Sequence, residues 1–109
     1  MYVEVRGTKA EVRDPDNCRA LDVRVSAEDR QTLDAALRAS GLGNWNGGNE
    51  ADLTTVALRA AAALGPVGPD WPSRWDAMIS YATTKGWLSE DGTQLRAHLV
   101  DLDPAGPSA

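Results

Sequence analysis

Two side chains in this sequence have the chemistry of a nucleophile and a base, Cys18 and His98, and each type occurs once. Covalent catalysis by cysteine needs a thiolate beside an imidazole. Cys18 lies in an Asp-Pro turn with no histidine near it in sequence, and no local signature brings the two together. Zinc takes three or four ligands, more than this pool of cysteine and histidine supplies. The Asp and Glu residues show no ion-loop spacing for magnesium or calcium. Gly41-Leu42-Gly43 follows a helical segment instead of a strand, which is the wrong context for a dinucleotide loop. The residues therefore predict no catalytic centre, no cofactor and no metal. In a strand, His98 points away from Leu95, Ala97 and Leu99, toward the wet face beside Arg96. That is the place of a partly exposed structural histidine, with acid–base work as its alternative role.

Binding chemistry has better candidates. The stretch GLGNWNGGNEADL, Gly41–Leu53, sets Trp45 among four glycines and three asparagines. Either the glycines let the chain fold back so that the indole anchors the loop in the core, or the loop presents Trp45 to a partner. In the second case Asn46 and Asn49 serve as adaptable hydrogen-bonding groups. Anchoring is favoured, because a domain without phenylalanine needs the aromatic area. Trp71, in PDWPSRW, sits on a short stiff connector and is expected at the surface, where tryptophan is a common energetic centre of interfaces. Trp45, Asn46, Asn49, Trp71 and His98 are the candidate binding residues. Trp75 and Trp87 are assigned to the core.

The bulk properties limit the partners. A chain of 109 residues with 42% hydrophobic and 25% charged content fits one folded domain, here residues 1–102, followed by a flexible tail, 103–109. The net charge is −5, and the acid excess falls wholly after residue 25. Such a surface repels phosphate backbones and anionic lipid, so nucleic acid and membrane are unfavoured partners and a basic protein is favoured. The start, MYVEVRGTKAEVR, has no apolar signal region, and a lone cysteine forms no internal disulfide. Both features point to the cytoplasm.

The elements that must position these residues follow from periodicity. Val3 and Val5 share one strand face, Ala10 and Val12 another, and the parity flips at Gly7-Thr8. A two-residue turn there puts Val3 opposite Val12, but also Glu4 opposite Glu11; a bulge in one long strand is the alternative. Asp14-Pro15-Asp16-Asn17 reads as a turn into a third strand, Leu21–Val25, giving an antiparallel meander. Ser26 caps a helix over 27–39 that stops at Gly41. Asn49 caps a second helix with Glu50 and Asp52 in its first turn and an apolar face of Leu53, Val56, Ala57, Ala60, Ala61 and Leu64. A third helix runs over 73–85, with Trp75, Met78, Ile79 and Ala82 as its core stripe. Trp87-Leu88, the Asp91-Gly92 turn and a strand through Leu95, Ala97 and Leu99 form a C-terminal hairpin; Leu95, Leu99 and Leu102 also fit a helix.

The fold expected is α+β: an N-terminal antiparallel meander of two or three strands, three helices and a C-terminal hairpin that either joins the sheet or forms a wing. The function expected is non-catalytic protein binding or regulation. The alternatives are a winged-helix DNA-binding regulator, and a small-molecule or minor enzymatic pocket near Trp45, Glu50 and His98.

Overall fold

Gly7 and Thr8 do turn the chain back on itself. In the computed structural model, which describes residues 1–102, β1 (Tyr2–Arg6) and β2 (Lys9–Arg13) pair antiparallel, with Val3 opposite Val12 and Val5 opposite Ala10. Gly7 has φ +60°, which the tight turn demands and a side chain resists. Glu4 does face Glu11. Arg13 relieves the repulsion: its guanidinium lies 2.8 Å from Glu11 and 3.4 Å from Glu4.

β3 (Asp22–Val25) corrects the meander. It runs parallel to β1, on the side away from β2, with Val3 opposite Val23. The end of β2 and the start of β3 both lie at Tyr2, which faces Arg13 on one side and Asp22 on the other. The linking residues therefore arch over the start of β1. The Asp14 turn forms as expected, with Asn17 N–H donating to the Asp14 carbonyl at 3.2 Å. Buried Met1 sits under the arch, and its amino group donates to the Asn17 carbonyl at 2.6 Å.

Ser26 caps the next segment by accepting from the Asp29 N–H at 3.3 Å. The segment begins as a 3-10 turn over Ala27–Thr32 and becomes α1 at Leu33–Ser40, ending at Gly41. Leu33, Ala36 and Leu37 are its buried face. β4 (Gly43–Trp45) and β5 (Glu50–Thr54) follow as an antiparallel pair.

β5 replaces the expected first turn of the second helix. Glu50 and Asp52 fit a helix N-terminus, but they also alternate with Ala51 and Leu53, both fully buried. β5 hydrogen-bonds to β4 on one side and β6 on the other, and sheet pairing on both edges outweighs local helix preference. The helix, α2, starts at Thr55 and ends at Ala63. With its start displaced, its core face becomes Leu58 and Ala62, leaving Val56 76% and Leu64 90% exposed.

α3 (Trp71–Lys85) buries Trp71, Trp75 and Ala82, with Met78 and Ile79 packed part-buried against the core. β6 (Gln94–Asp101) is the strand expected, with Leu95, Ala97 and Leu99 inward. It is not the arm of a wing. It lies inside the sheet, parallel to β3 and antiparallel to β5, in the order β2-β1-β3-β6-β5-β4. Of the expected hairpin, a single antiparallel bridge remains, Leu88 to Leu95. The whole is an α+β fold with three helices and one mixed six-stranded sheet curled into a half-barrel. The segment 103–109 lies outside the described residues. Among the described residues no helix is long and apolar enough to cross a membrane.

Candidate functional site

β6 changes neighbours along one edge. Near its start, the Arg96 N–H donates to the Trp87 carbonyl at 2.8 Å; from His98 onward its partner is β3, beginning at Asp22. Between these two contacts the segment leading into β3 parts from Trp87. α3 covers the gap unevenly. Its first half is filled by Trp71 and Trp75, whose ring centroids stand 5.6 Å apart. Its second half presents Ala77, Met78, Tyr81 and Ala82, and two of those four are alanines. The volume the alanines leave empty is a cleft of about 770 Å³, bounded by that half of α3, by Cys18–Leu21, by Trp87 and by Leu95–His98. Clefts of this size, largely apolar with a few polar groups, are the usual form of small-molecule sites.

An aromatic wall runs along the cleft. Tyr81 and Trp87 meet edge to face at 5.8 Å, and Trp87 and His98 do so at 6.5 Å. Trp87, assigned to the core by the sequence, is 37% exposed, and Tyr81 is 56% exposed. The cleft also collects charge of one sign. The guanidiniums of Arg19, Arg74 and Arg96 line it, and no carboxylate does.

Cys18 and His98 do line one cleft, but the thiol is not activated. Burial raises the Cys18 pKa, which keeps it protonated at neutral pH, the opposite of what a nucleophile requires. His98 is exposed on the outer sheet face as expected, with Nδ1 3.8 Å from a Glu50 carboxylate oxygen. No group of three or more His, Cys, Asp and Glu is placed to hold a metal ion among the described residues.

The remaining candidates lie apart from the cleft. Trp45 ends β4, half-buried and packed against the core. Its indole N–H donates to the Gly48 carbonyl at 2.8 Å, and its backbone N–H donates to Asp34 at 2.9 Å. That second bond, followed by the Arg38 side chain, holds Asp34 below the usual carboxylate range. Asn46 and Asn49 are exposed. The Asn46 side chain accepts from the Gly48 N–H at 3.1 Å, and the Asn49 carbonyl accepts from Leu99 at 2.9 Å. The Asn46 side chain thus shapes the β4–β5 loop, whereas Asn49 contributes its main-chain carbonyl to β6. Glu50 faces His98 across the β5–β6 pair, but neither Trp45 nor Glu50 lines the cleft.

Trp71 is a correction. It is 3% exposed, and its indole N–H donates to the Pro15 carbonyl at 2.8 Å. The arch over β1 brings Pro15 to α3, and a buried indole needs such a partner. Sequence reasoning thus exchanged the roles of Trp71 and Trp87. Compared with family models, curated proteins and solved structures, the chain finds no match.

Proposed function

We propose that this protein is a non-catalytic binding domain whose ligand occupies the cleft between the second half of α3 and Cys18–Leu21. One observation carries the proposal: an exposed aromatic wall, Tyr81–Trp87–His98, borders a cleft of about 770 Å³. Exposed aromatic surface is kept where it is covered in use. The site belongs to the small-molecule class, although it is not centred on Trp45.

A regulatory domain that occupies a basic protein partner is the second reading, supported by the net charge of −5. The cleft itself carries charge of the other sign and favours a different guest. A DNA-binding role loses its basis with the wing, since β6 is an inner strand of the sheet. A cytoplasmic setting is part of the proposal, supported by the lone cysteine, which forms no internal disulfide.

A fragment screen by protein-observed NMR tests the proposal. Hits should shift the Trp87 indole and the amides of Tyr81 and Ala97. Ala77→Trp fills the cleft from an exposed helix position and should abolish those hits while the fold, followed by circular dichroism, persists. Hits indifferent to Ala77→Trp would sink the proposal.

A further inference from the structure

We infer that the ligand is a small organic carboxylate with a flat apolar body, and that Arg19 receives its carboxylate. The inference rests on the cleft being the binding site and adds the class of ligand.

The cleft's three guanidiniums are not equivalent. Arg74 is paired with Asp16, whose carboxylate also accepts from the Gly68 N–H at 3.0 Å. Arg96 stands 3.8 Å from Glu50 and 4.0 Å from Asp52. Arg19 is in no ion pair among the described residues, and only its backbone N–H is engaged, donating to the Asn17 side chain at 3.0 Å. An uncompensated guanidinium beside an apolar cleft lacks one thing, an oxyanion. Its planar fork matches a single carboxylate through two parallel hydrogen bonds. Beyond Arg19, Trp87 and Met78 line the cleft; an indole is suited to packing against a flat ring, and a thioether side chain adapts its shape to what lies against it. Charge complementarity thus selects the guest: an acidic protein with a locally cationic cleft admits an anion there and repels it elsewhere.

The test uses three probes with one ring system: 2-naphthoate, 2-naphthylmethanol and 2-naphthylmethylammonium. Each is titrated into the full chain and followed by NMR shifts and Trp fluorescence. The carboxylate should bind about tenfold more tightly than the alcohol, the scale of one charge-assisted contact. The ammonium should bind most weakly. Arg19→Ala should remove the preference for acid over alcohol, and Arg19→Glu should reverse the order of acid and ammonium, with the melting temperature of both variants unchanged. Equal binding of acid and alcohol with shifts at Trp87, or a preference unaffected by Arg19→Ala, overturns the carboxylate inference and leaves the binding cleft standing. Failure of all three probes to shift Trp87 at millimolar concentration overturns both.

Discussion

The indole N–H of Trp71 donates to the carbonyl of Pro15 at 2.8 Å, joining the first turn of α3 to the arch over β1 from 56 residues away. This bond fixes one wall of the cleft, because Cys18–Leu21 continues directly from the arch. Trp71→Phe keeps most of the apolar volume and removes the donor. It should cost about 1–3 kcal/mol, the penalty of a buried carbonyl without a partner. The urea midpoint measures that cost. Ligand affinity should fall as well, through displacement of Arg19, although Trp71 itself does not line the cleft.

Trp75 is 3% exposed and stands beside Trp71 in the core. Trp75→Ala should cost about 3–5 kcal/mol. A domain of this size has roughly 5–15 kcal/mol in total, so the variant should melt far lower or fail to accumulate folded. A melting temperature within a degree or two of the parent would contradict the assignment of Trp75 to the core.

Trp45 is half-buried and held by its own loop, so Trp45→Ala should cost less, about 1–3 kcal/mol. Gly43 behind it is more exacting. Its φ is +152°, and a Cβ there would collide with the Asp52 carbonyl across the β4–β5 pair. Gly43→Ala should therefore destabilise the chain more than Trp45→Ala does. Chemical denaturation of the two variants side by side gives the order.

Asp91 governs the turn between Leu88 and β6. Its carboxylate accepts from the Ser89 and Thr93 hydroxyls, each at 2.7 Å, and from the Thr93 N–H at 3.1 Å. These bonds, that from Ser89 foremost, lower its pKa to about 2. A carboxylate depressed in the folded state contributes stability above its unfolded pKa of about 3.9 and loses it as pH falls through the folded value. A ¹³C titration of the carboxyl should give a midpoint near 2, and Asp91→Asn should loosen the turn at neutral pH. A midpoint near 4 would mean that the turn does not hold the carboxylate.

The acid excess and the absent wing predict no tight duplex binding. Arg74, the basic residue in the first turns of α3, is already paired with Asp16. A gel-shift series on random fragments should show no salt-sensitive retardation at submicromolar protein.

Period-two alternation determined the inward sides of β1 and β6, because in a half-buried strand parity alone decides which residues are buried. It allowed both a turn and a bulge at Gly7-Thr8, and only the pairing of β1 with β2 decided for the turn. The helix starts and stops at Ser26, Gly41 and Gly86 were equally local, since a cap is chemistry between near neighbours. Other features depended on partners distant in the chain. Glu50–Thr54 satisfies both a helix start and a strand, and became a strand because β4 and β6 offered hydrogen bonds on both edges. The parallel placement of β3 followed from an arch that closes over Met1. Trp71 and Trp87 are both large indoles near an end of α3. Only the arrival of Pro15 buried one, and only the change of neighbours along β6 left the other at an open cleft. Arg19 is an ordinary exposed arginine in the sequence; it became the cleft's uncompensated charge because folding paired Arg74 with Asp16 and set Glu50 and Asp52 beside Arg96.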